Sequence, residues 1–130
     1  MVNQTRAQNG LGSYAISPEQ SAGTSNCIGS YGHSFHMYQA GAISHDQFPS
    51  DICVSYSAAG ENVGTFSSGN ELQDLKSMHQ EMMNEQHDPT FCQTYDNHAC
   101  NILSTKYAAI GIGIYHAPSG STWLTEDFIR

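Results

Sequence analysis

The chain has 130 residues, with four Lys and Arg against twelve Asp and Glu and a net charge of −8. That balance argues against nucleic acid and against electrostatic docking on anionic lipid as partners. Length predicts one domain, residues 1–130, with enough chain for a real core. No apolar run approaches the roughly 20 residues of a membrane span. The first ten residues, MVNQTRAQNG, lack an apolar h-region, so no signal peptide is read there.

In chain order, Met1 to Tyr14 is polar, with Asn9-Gly10 and Gly12 as turn signals, and Arg6 reads as a solvated charge. Ser17-Pro18-Glu19-Gln20 is a helix start: Ser17 caps, Pro18 suits the first helical position and Gln20 completes a capping box. Ile28, Tyr31, Phe35, Tyr38 and Ala42 follow at steps of three and four, the buried stripe of an amphipathic helix. His45 continues that stripe at the helix end, and Pro49 stops the segment. His33 and His36, three apart, could ligate a metal; one surface and one core-edge histidine is the simpler expectation.

Cys53 to Gly64 starts like a strand and ends in a glycine-flanked turn holding Glu61. A second helix begins at Ser68, capped by Ser68 and Glu71, and runs to about Glu85 before Pro89. Its apolar stripe is Leu75, Met78 and Met82, which fits core filling, and the next step lands on Glu85. Asp74 and Glu81 fall on the opposite face and are expected in solvent.

His98 is placed on a short turn, upstream of a β-hairpin. Ile110, Ile112 and Ile114 alternate with Gly111 and Gly113, the period of a strand with one apolar face. The glycine face lets another element approach the backbone closely. His116 to Ser121 is the turn, and Trp123, Leu124, Thr125 and Phe128 form the returning strand. Asp127, at a strand end, is expected in solvent.

Four cysteines allow three pairings. Cys92 and Cys100 bracket a seven-residue loop and pair locally, which leaves Cys27 with Cys53. No C-x2-C pair supports the competing zinc cluster. Disulfides fit a secreted, extracellular protein. No G-x-S-x-G elbow supports a serine hydrolase.

The order His45 in ISH, Glu61 in GENVG, Glu85 in MMNE, His98 in NHACNIL, then IGIGIY and WLTEDF resembles the CAP superfamily, also called the SCP domain, of cysteine-rich secretory, antigen 5 and pathogenesis-related proteins. The resemblance is closest to bacterial members and spans nearly the whole chain. Asn3, Arg6 and Gly10 look like the family's N-terminal N-x2-R-x3-G. The chain departs from the pattern at Met82, where an aromatic residue is usual, at Asn97, where glycine is usual, and in the Cys-bracketed loop before His98.

The resemblance implies an α+β fold, an α-β-α sandwich with a small antiparallel sheet between helices. It also implies a cleft lined by His45, Glu61, Glu85 and His98. Two neutral imidazoles there, His45 and His98, could hold Zn2+ or another divalent metal. On this basis the chain is expected to be a binding module for a small molecule, lipid, peptide or protein. The alternative is a zinc-dependent, peptidase-like hydrolase using the same four residues.

Overall fold

The structure, a computed structural model, describes residues 1–130. The elements in chain order are α1 (Val2–Gln8), β1 (Ala15–Ile16), α2 (Pro18–Ala22), α3 (Gly29–Ala40), β2 (Ala59–Phe66), α4 (Glu71–Met83), α5 (Phe91–Thr94), α6 (His98–Leu103), β3 (Ala109–His116) and β4 (Thr122–Ile129). The strands form one sheet in the order β1-β3-β4-β2. The fold is α+β, with α3 on one face of the sheet and α1, α4 and α6 toward the other. Three strands are antiparallel as expected; β1 adds two residues in parallel to β3, so the sheet is mixed.

The hairpin of β3 and β4 is the centre of the fold. Ile110 is fully buried and packs with Phe128, Leu124, Met78, Met82 and Tyr14, while Ile112 and Ile114 flank this cluster. The opposite face is the glycine face, and α3 lies directly on it. A Cβ at Gly113 would stand well inside 3.0 Å of the Ser30 carbonyl and the Tyr31 nitrogen.

This close seat reverses the expected face of α3. Its buried residues are Gly29, Ser30, His33, Ser34 and Met37. The predicted stripe points outward instead: Ile28 is 43% exposed, Tyr31 48% and Phe35 36%. Only small or polar side chains fit against a glycine floor, and they gain hydrogen bonds there. Ser34 Oγ donates to the Gly113 carbonyl and pairs with Thr125 Oγ1, both at 2.9 Å. The displaced aromatics pack on one another: Tyr31, Phe35 and Tyr38 all lie edge-on or tilted against Tyr115.

Helix boundaries also shift. Ser17 caps α2 by accepting from the Gln20 N–H, but that helix ends at Gly23, and α3 starts afresh at Gly29. Both glycines hold positive φ, 77° and 63°, a conformation that costs other residues dearly. Gln20 does not close a capping box. Its amide nitrogen donates to Asp127 Oδ2 at 2.9 Å, and its Oε1 accepts from the Cys53 N–H at 2.6 Å. Helix α4 is capped by Asn70 rather than Ser68, because Asn70 Oδ1 accepts the Gln73 N–H at 2.9 Å. Ser68 instead gives its N–H to Asp74 Oδ1 at 2.8 Å. Asp74 is therefore fully buried, not solvated, and also accepts from Thr122 Oγ1 at 2.7 Å. Burial pushes its carboxyl upward, but the Ser68 and Thr122 hydrogen bonds prevail and hold it low.

Arg6 also leaves solvent. It is 4% exposed and its guanidinium donates to the carbonyls of Gly12, Ile102 and Ser104 at 2.7–2.8 Å. The same group lies over the Tyr14 ring, 3.6 Å from its centre. Asn3 clamps the Tyr14 backbone through both its N–H and its carbonyl. Residues 3 and 6 of the N-terminal pattern thus staple α1 and the chain after it to α6.

Both expected disulfides are present, Cys27–Cys53 and Cys92–Cys100, and no cysteine is free. The first holds the irregular segment 41–58 against the start of α3. The second ties α5 to α6.

Candidate functional site

The four residues singled out in the sequence form two histidine–glutamate pairs. Glu85 follows the end of α4, and His98 is the first residue of α6 rather than part of a turn. Glu85 Oε2 accepts the His98 backbone N–H at 2.9 Å, and Oε1 lies 2.7 Å from His98 Nδ1. The carboxylate thereby caps α6 and orients the ring in one contact set. Asn97 completes the cap by accepting the Cys100 N–H at 2.8 Å. Glu81 stays exposed on α4. We expect Glu85→Ala to cost about 1–2 kcal/mol in chemical denaturation, and Glu81→Ala no more than about 0.5 kcal/mol. Equal losses would mean that the cap carries no energy.

The second pair is built from a strand and a loop. Glu61 lies inside β2, not in a turn, and its side chain is 1% exposed. His45 sits beyond the end of α3, with its side chain 56% exposed, and its Nδ1 is 2.6 Å from Glu61 Oε1. It does not extend a buried stripe, because Gly41 closes α3 in the left-handed conformation.

The two pairs flank β2 from opposite faces of the sheet. Glu61 is in register with Asp127, on the face covered by α3. The next residue, Asn62, turns the other way and donates to the His98 carbonyl at 3.2 Å. Strand β2 is the edge of the sheet. Ala58 and Arg130 exchange both backbone hydrogen bonds, so the alternate residues Val63 and Thr65 direct theirs away from β4. A cleft of about 200 Å³ follows this free edge, lined by Ile43, Val63, Thr65, Met78, Glu85 and His98.

Both rings use Nδ1 for the carboxylate, and of the two His98 lines the cleft. A histidine held this way presents Nε2 as a free donor atom, the usual setting of a metal-ligating imidazole. Each glutamate holds its ring through Oε1, and the second oxygens turn inward, Glu85 Oε2 to the His98 N–H and Glu61 Oε2 toward His33.

Behind His45 lies a buried polar cluster. His33 and Asp51 are 0% and 1% exposed. His33 Nδ1 is 2.7 Å from Asp51 Oδ2 and 2.6 Å from Glu61 Oε2, and Nε2 is 3.1 Å from the Ser44 carbonyl. Burial disfavours charge on this ring, but the hydrogen bonds and charges of Asp51 and Glu61 outweigh it, raising its pKa to about 10. His33 is thus a core histidine held by carboxylates, whereas His36 is a half-exposed partner of Asp46. Asp127 is buried too, contrary to expectation. Burial raises its carboxyl to about 7, against the hydrogen bonds donated by Ser30 and Gln20. Its neighbour Glu126, 5% exposed on the opposite face, is likewise raised to about 7 by burial while accepting from Asn62 Nδ2 at 3.1 Å.

The signal for these two carboxylates was their place inside the returning hairpin strand. That strand is central, and every residue from Thr122 to Ile129 is buried. A larger cavity, about 700 Å³, lies between the residues after α1, the 87–96 loop and α6, with Leu11, Pro89, Lys106 and Tyr107 among its lining. Its walls mix polar and apolar groups and it does not reach the histidine pairs. No helix is long and apolar enough to cross a membrane.

The fold and the site define a small disulfide-bonded α+β sandwich with paired histidines and carboxylates along one sheet edge. No protein-family model matches the chain, and no curated protein matches it in sequence. Among solved structures it is similar to an outer surface protein from Borrelia burgdorferi, with a TM-score of 0.73 and 12% identity over 99% of this chain and 86% of that one. At that identity the likeness is one of fold.

Proposed function

We propose that this chain is a CAP-type, SCP-domain binding module that works outside the cell, with the β2-edge cleft as its ligand site. The observation that carries the reading is the pairing of His45 with Glu61 and His98 with Glu85, each through Nδ1. Two disulfides and no free thiol support an oxidising, extracellular setting. The outer surface protein of the same fold is in keeping with it. Binding is favoured over hydrolysis, because both glutamates are committed to orienting rings.

On this reading the cleft takes a divalent metal such as Zn2+ at the two Nε2 atoms. Two histidines make a weak site compared with the three protein ligands of catalytic zinc. Calorimetry of the protein with Zn2+ near pH 7.5 should show this binding, weakened at least about tenfold in His98→Ala and in His45→Ala. Unchanged affinity in both variants would refute metal binding in the cleft.

A further inference from the structure

The cluster behind His45 has too few protons for its acceptors. His33 Nδ1 faces two carboxylate oxygens, at 2.6 and 2.7 Å. One nitrogen carries at most one hydrogen, and its direction favours Asp51 Oδ2. Glu61 Oε2 and Asp51 Oδ1 are left buried without a hydrogen-bond partner, and so is Asp127 Oδ1 nearby. Buried unpaired carboxylate oxygens are costly, and a cation among them is the direct remedy.

We propose that His33, Asp51 and Glu61 form a buried binding site for a divalent transition-metal ion, Zn2+ being the ion that matches the donors. Their ligand atoms all lie within 4.8 Å of one another. One imidazole nitrogen and two carboxylate oxygens suit Zn2+, whereas Ca2+ asks for about six to eight oxygens. The outer contacts are already those of a metal site. Nε2 points to the Ser44 carbonyl, which fixes the ring with Nδ1 inward, and Glu61 Oε1 is held by His45. Metal bonds of about 2.0–2.2 Å require ligand atoms about 3.3 Å apart, so the contacts to Nδ1 open by about 0.6 Å on loading. Asp51 lies in the irregular segment between α3 and β2, where that shift is easiest. Because the site is closed to solvent, the ion enters as the chain folds. This site is separate from the two cleft Nε2 atoms and stands whether or not they bind metal.

The test is histidine side-chain proton–nitrogen NMR on protein refolded and oxidised with and without one equivalent of Zn2+. In the metal-free protein both ring N–H groups of His33 should be visible. With Zn2+ the Nδ1–H should disappear, Nε2–H should remain, and one zinc per chain should survive a chelator that empties the cleft. Asp51→Asn should weaken the retained zinc at least about tenfold, and His98→Ala should leave it in place. Should Asp51→Asn not fold, the wild-type spectra decide. A His33 ring that keeps both hydrogens at saturating Zn2+ overturns the site, and so does retained zinc that is lost in His98→Ala.

Discussion

Gly113→Ala is expected to cost about 3 kcal/mol of folding stability, the upper end of the overpacking range. The new methyl would enter the Ser30–Tyr31 backbone, which cannot rotate aside as a side chain does. Relief requires α3 to lift from the sheet. That would strain Ser34 on Gly113 and Thr125, Ser30 on Asp127, and His33 on Asp51 together. Gly64→Ala is the matched control, also in a strand. Its added Cβ meets Met78 Sδ at 3.0 Å and Met82 Cε at 3.4 Å, ends of flexible side chains that can yield. Urea denaturation should show a loss below about 1 kcal/mol there. Similar losses in the two variants would mean that α3 is not seated on the glycine face.

The second large effect concerns pH. Glu126 ionises near its ordinary value when the chain is unfolded, and burial raises it to about 7 in the folded protein. A carboxyl with a raised folded pKa favours folding while protonated in both states. That contribution is full below about pH 4.5 and is lost as pH rises through about 7. At about 1.4 kcal/mol per pH unit the loss approaches about 3 kcal/mol. Glu126→Gln keeps an acceptor for Asn62 Nδ2 and cannot ionise. It should match the wild type near pH 4 and exceed it by about 3 kcal/mol at pH 8, measured by denaturation at each pH. Asp127, raised in the same direction, leaves part of the slope in the variant. Parallel stability curves for the two proteins would show that Glu126 is not held in the dry interior.

The hairpin, its turn, the α4 stripe and the Cys92–Cys100 bridge could be read from the chain because each follows a local rule of period or spacing, and Cys27–Cys53 then followed by elimination. The face of α3 could not. Its apolar stripe obeys helical periodicity, yet the partner surface is glycine and rewards Ser30, Ser34 and His33 over Tyr31 and Phe35. The step after Met82 on the α4 stripe lands on Glu85, but its contact with His98 is a tertiary fact. Asp51, Asp127 and Asp74 are charges whose burial depends on donors far away in sequence: His33, Gln20 and Thr122 respectively. Only Asp127 has a hint, its place inside a central strand; no local pattern marks the other two. Arg6 belongs with these, since its three carbonyl partners are assembled only when α1 meets α6 and the chain after it.

The most direct measurement of the cleft is anomalous scattering at the zinc edge from a crystal soaked in Zn2+ near pH 7.5. A peak is expected at the β2 edge within about 2.0–2.1 Å of His45 Nε2 and His98 Nε2, with both Nδ1–carboxylate contacts kept. A cleft without a peak, under soaking that leaves the crystal intact, would contradict the assignment. So would a structure in which the two Nε2 atoms are hydrogen-bonded within the protein.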